Sequence, residues 1–88
     1  MKSVYILFET DQWLTKSNST ILAVCTSKYK AFDLFEEMIK NRTDISIDDK
    51  IYSITQMIEN MQTVCFCDGY HIEEYDCNKM ILYIYYIS

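Results

Sequence analysis

Eighty-eight residues with no proline and a single glycine, Gly69, leave this chain almost without built-in breaks. Proline presets a turn dihedral and glycine enters the left-handed region at no steric cost. Without them, tight turns fall to Asp, Asn and Ser, whose side chains bond to nearby backbone. Half the residues are apolar and 15% are aromatic, well above the composition of a disordered chain. The expectation is one folded domain over residues 1–88. A chain of this size buries roughly 60–65% of the surface it exposes when unfolded, so its core is thin.

Val4 to Phe8 is a continuous run of β-branched, aromatic and aliphatic residues and reads as a mostly buried strand. Glu9 to Ser19 is polar apart from Trp13 and Leu14 and reads as a loop. Thr20 to Thr26 reads as a second strand, making a long-looped antiparallel hairpin. Ser27 is placed to cap a helix running to about Asn41, with an inward stripe of Ala31, Phe32, Leu34, Phe35, Met38 and Ile39. A second helix is expected from Ile47 to Met61. There Ile47, Ile51, Ile54, Ile58 and Met61 recur at four and three residues and form the expected core face. Ser46 and Asp49 resemble a capping box, and Asp48 and Asp49 suit the positive end of the helix dipole.

Thr63 to Cys67 reads as a strand, and Asp68-Gly69 as a hairpin turn. Tyr70 to Tyr75 reads as the next strand, residues 76–79 as a turn, and Met80 to Ile87 as the last strand. The expected fold is therefore α+β, β-β-α-α-β-β-β, with an antiparallel sheet of about five strands and two helices packed on it. The last strand is apolar or aromatic on both faces. Two readings follow: a central strand covered on both sides, or a strand covered by another chain, which includes a homodimer assembled through Met80–Ile87.

The opening apolar run is too short for a secretory signal and lacks a small-residue cleavage site. The closing run of eight residues is far short of the ~20 a spanning helix needs. The expectation is a cytoplasmic protein without membrane contact. Cys25, Cys65, Cys67 and Cys77 are then expected as reduced thiols.

Candidate chemistry is sparse. Cys65, Cys67, His71 and Cys77 could supply a tetrahedral zinc site, but a one-residue gap between paired cysteines is unusual for one. The competing reading is free cysteines packed as small apolar side chains, with His71 on the surface beside the Asp-Gly turn. A Cys67–His71 nucleophile pair lacks an orienting group and an oxyanion motif. No enzyme and no cofactor are expected. Nucleic-acid binding is disfavoured, because six of the eight bases are scattered through the first half and Lys28 and Lys30 are the only close pair near a helix start.

The charge is uneven. Residues 44–88 hold eight acids and two bases, whereas residues 1–43 hold five acids and six bases. Asp48, Asp49 and Glu59 have helical positions that account for them. Asp68, Glu73, Glu74 and Asp76 remain, set among Tyr70 and Tyr75. Their pattern suggests a surface that grips a basic partner, although Glu73 and Glu74 are adjacent and point to opposite faces of a strand. Trp13 is either an exposed interface anchor or a lid folded over a small core.

Three stretches carry a resemblance: Val4-Tyr5-Ile6-Leu7, Ala23-Val24-Cys25-Thr26-Ser27-Lys28-Tyr29-Lys30-Ala31, and Gly69-Tyr70-His71-Ile72-Glu73-Glu74-Tyr75-Asp76. Together these 21 of the 88 residues resemble small phage and mobile-element proteins of compact β-β-α-β type. The second helix and the last strand depart from that pattern. The resemblance implies a class, inhibitors of host defence such as anti-CRISPR proteins, which present carboxylates to a basic groove made for nucleic acid. On that basis the expectation is a non-enzymatic protein-binding module. It would occupy a basic surface of a host protein such as a CRISPR nuclease through Asp68, Tyr70, Glu73, Glu74, Tyr75, Asp76 and Trp13. The alternative is a small structural or regulatory homodimer.

Overall fold

A computed structural model describes residues 3–76. Four strands and two helices follow the order β1 (Ser3–Asp11), β2 (Thr20–Cys25), α1 (Lys28–Lys40), α2 (Ile47–Asn60), β3 (Gln62–Cys65) and β4 (Asp68–Asp76). A 3-10 turn, Lys16–Asn18, lies between β1 and β2. The strands form one antiparallel sheet in the order β2-β1-β4-β3. The α+β class and the two helices agree with expectation. The order among the described residues is β-β-α-α-β-β, and the sheet has four strands where about five were expected. The proposed last strand, Met80–Ile87, lies outside the described residues, as does its suggested homodimer contact. No helix among the described residues is long and apolar enough to cross a membrane.

Both helices start where the sequence indicates. Ser27 is extended and its Oγ accepts the Lys30 N–H at 3.2 Å. The Ser46 Oγ accepts the Asp49 N–H at 3.1 Å, and Asp48 and Asp49 fill the first turn of α2. One core links both helices to the same face of the sheet. Ala31, Phe35 and Ile39 of α1 and Met57 of α2 pack with Leu7, Cys25, Cys65, Tyr70 and Ile72 of the four strands. Phe35 meets the Tyr70 ring edge-on at 5.3 Å. The opposite face of the sheet carries Ile6, Phe8, His71, Glu73 and Tyr75, by alternation from the core-facing residues.

The α1 stripe lands mostly as read, except that Leu34 is exposed. The α2 stripe does not. Ser53 and Met57 are buried and Ile54 and Met61 pack at the core margin, whereas Ile47, Ile51 and Ile58 are 74%, 58% and 55% exposed. The helix is turned about its axis relative to the expected face. Ser53 is small, so the helix and the short β3 strand can approach closely. The Lys50 ammonium binds the Lys40 carbonyl at 2.9 Å and ties the start of α2 to the end of α1.

The hairpin also differs. Its turn is Phe66-Cys67, flanked by the pair Cys65 and Asp68, and Asp68-Gly69 belongs to β4. Phe66, the first of the two turn residues, has positive φ (57°). Gly69 is needed elsewhere. A Cβ there would lie 2.2 Å from the Asp11 carbonyl oxygen and 2.8 Å from Leu14 Cδ2. With its only glycine committed to that close approach, the chain places Leu14 (φ 56°), Met61 (62°) and Phe66 in the left-handed region. Each such placement costs roughly 1–2 kcal/mol.

Candidate functional site

The loop after β1 is built by one carboxylate. Asp11 Oδ1 accepts the Trp13 N–H at 3.1 Å and the Thr15 N–H at 3.0 Å, while its carbonyl accepts the Leu14 N–H at 3.1 Å. The Thr10 hydroxyl donates to the Thr15 carbonyl at 2.5 Å. The backbone hydrogen bond from Thr15 is the main reason the Asp11 carboxyl lies below its usual range. This frame holds Trp13 away from the core, 76% exposed. Of the two readings of Trp13, the structure has the exposed one.

A second arrangement ties this loop to the outer face of the sheet. The Ser19 Oγ lies 3.1 Å from His71 Nε2, and the His71 ring stacks on Phe8 at 4.7 Å. His71 Nδ1 is 3.7 Å from Glu73 Oε2, which accepts the Tyr75 hydroxyl at 3.0 Å. His71 is only 5% exposed, so it is a packed residue and not the surface residue expected. Serine, histidine and carboxylate in series have the order of a nucleophilic triad. The Ser19 Oγ also lies 3.5 Å from the Thr15 carbonyl, a second acceptor for its hydroxyl besides the His71 ring. At 3.7 Å the carboxylate stands beyond hydrogen-bond length. The series serves as a brace between loop and sheet.

Arg42, in the connection between the helices, is the residue that sequence reasoning missed. Its guanidinium binds Asp44 through two nitrogens, Nε at 2.9 Å and Nη2 at 2.5 Å. Nη1 reaches the Tyr70 hydroxyl at 3.0 Å and Asp68 at 3.2 Å. The Arg42 hydrogen bonds hold the Asp44 carboxyl below its usual range. Burial, opposed in part by Arg42, pushes the Tyr70 hydroxyl up to about 12. A lone arginine two residues before an aspartate is a weak sequence signal, because the partners that matter lie 26 and 28 residues further on.

The proposed acidic surface on β4 is therefore divided. Tyr70 is buried in the core and Asp68 is paired with Arg42. Glu73 and Tyr75 lie on the outer face beside His71. Glu74 is exposed on the other face opposite Tyr5, whose hydroxyl is pushed up by burial and by this carboxylate. Asp76 pairs with Ser3 at the end of the strand. Of the acids singled out, Glu74 is the most open to a partner.

The zinc set is not assembled either. Cys65 is buried against the helices, Cys67 is exposed in the turn, and His71 faces the other side of the sheet. Cys77 lies outside the described residues. Among the described residues no three His, Cys, Asp or Glu side chains could hold a metal ion.

The open carboxylates are found on the helices. Asp33 and Glu37 on α1, and Asp48, Asp49 and Glu59 on α2, are exposed and enter no ion pair among the described residues. Asp44 and Asp68 are held by Arg42, and Glu36 is held by Lys40 at 2.9 Å. Comparison with protein-family models, curated proteins and solved structures finds no match to this chain.

Proposed function

We propose that this chain is a non-enzymatic protein-binding module of phage or mobile-element type. It acts by occupying a basic, nucleic-acid-binding surface of a host protein, of which a CRISPR nuclease is one example. The observation that carries the reading is the set of exposed, unpaired carboxylates on the helix layer, joined by Glu74. A groove made to neutralise phosphates attracts such an array and accelerates encounter with it. Trp13, held outward by the Asp11 frame, adds an aromatic anchor of the kind that dominates interface energies. The resemblance carried by β1, the β2–α1 passage and β4 supports the class.

The test is capture of host proteins on the immobilised chain, with salt and nucleic acid as competitors. The expected partner binds nucleic acid, leaves the chain when nucleic acid is added, and dissociates as salt rises. Charge reversal at Asp33, Glu37 and Glu74 should weaken that capture. A partner indifferent to nucleic acid, salt and charge reversal overturns the reading.

A further inference from the structure

Helix α2 carries more apolar surface than the fold buries. Its inner flank uses Ser53 and Met57. Ile47, Ile51 and Ile58 remain exposed, and the half-buried Ile54 completes the row. The row steps by four, three and four residues, the d-a-d-a spacing of a coiled-coil seam. From Ile47 to Ile58 it runs about 16 Å along the helix. A parallel row one residue on, Asp48, Tyr52, Thr55 and Glu59, places an acid at each end of the seam.

The acids decide what can cover the isoleucines. A second copy packed antiparallel brings Asp48 against Glu59 of the other copy, and one packed parallel sets each acid against itself. Both put like charges beside the seam. An anionic lipid surface meets the same repulsion. A helix with an apolar stripe flanked by Lys or Arg satisfies the isoleucines and both carboxylates together. We infer that this face of α2 is the docking face for a basic amphipathic helix of a protein partner. The inference rests on the proposed preference for basic partners and assigns it a surface.

The probe is a fluorescein-labelled synthetic peptide of leucine and lysine in helical period, with a leucine–glutamate counterpart, followed by fluorescence anisotropy. The leucine–lysine peptide should bind and weaken with salt, and the counterpart should not bind. Ile51→Ser combined with Ile58→Ser should lower affinity at least about tenfold. Both residues are exposed, so the circular dichroism spectrum should be unchanged. Asp48→Lys combined with Glu59→Lys should transfer the preference to the leucine–glutamate peptide. Undiminished binding by the double-serine variant overturns the docking face. So does equal binding of both peptides, or a dimer in sedimentation that the serine variant dissolves. If Glu74→Lys or Trp13→Ala abolishes binding while the double-serine variant does not, the docking face falls and the wider reading stands.

Discussion

Helices α1 and α2 have similar lengths, similar serine caps and similar apolar periodicity, yet the sheet receives them differently. In α1 the residues read as inward, Leu34 apart, pack into the core. In α2 the core takes Ser53 and Met57, and Ile47, Ile51 and Ile58 are left outside. The two differ in what each must cover and in how much apolar surface each carries. Helix α1 lies over β1 and β2, and one stripe suffices. Helix α2 lies over the four-residue strand β3 and has apolar residues for two stripes. Periodicity identifies the helix in both cases. It fixes the buried face only where the apolar residues fill a single face.

The sharpest challenge to that contrast comes from truncation at the two helix cores. Phe35→Ala should cost about 3–5 kcal/mol and Met57→Ala about 2–5 kcal/mol in urea unfolding. A negligible cost for Met57→Ala would return α2 to the face read from the sequence. The caps come next. Ser27→Ala and Ser46→Ala should each cost about 1 kcal/mol by the same measurement. A markedly smaller loss at Ser46 would show that Asp48 and Asp49 hold the α2 start without its cap.

Acid should weaken the loop between β1 and β2 and the connection between the helices. Asp11 and Asp44 both have lowered native values, through backbone hydrogen bonds from the loop and through Arg42 respectively. Their contribution is fully present above the ordinary carboxylate value of about 3.9 and is lost as pH falls through the lowered native values. Asp44→Asn should reduce that acid dependence in thermal melts taken across this range. The smallest effect belongs to the exposed row. Ile51→Ala should change stability by no more than about 0.5 kcal/mol, and a loss near that of Met57→Ala would break the comparison.

Much of the fold is legible from local chemistry. Ser27 and Ser46 announce their helices because capping is a contact over three residues. The β1–β2 pairing follows from two apolar runs. The β3–β4 turn was misplaced because Asp-Gly is a strong turn signal, whereas Gly69 answers a steric demand from Asp11 and Leu14 that no local pattern records. The candidate site was less legible. Adjacent glutamates were correctly assigned to opposite faces of a strand, but the pairing of Asp68 and the burial of Tyr70 depend on Arg42, distant in sequence. Of the open helix acids, Asp48, Asp49 and Glu59 are accounted for by helical position and Asp33 and Glu37 carry no local signal, while the exposure of Ile47, Ile51 and Ile58 is hidden by a spacing that resembles a core.

The Arg42 contacts close a ring in the chain. Everything from the end of α1 to the start of β4, including all of α2 and β3, lies between the guanidinium and its partners Asp68 and Tyr70. Opening that clasp would release α2 and β3 together while β1, β2 and α1 keep their own contacts. In native-state hydrogen exchange the amides of α2 and β3 should then share one opening free energy, below that of the β1–β4 ladder. An Arg42→Met chain should exchange faster across the whole released segment. The molecule would then consist of a steady platform and one cooperative flap, with the exposed isoleucines on the flap.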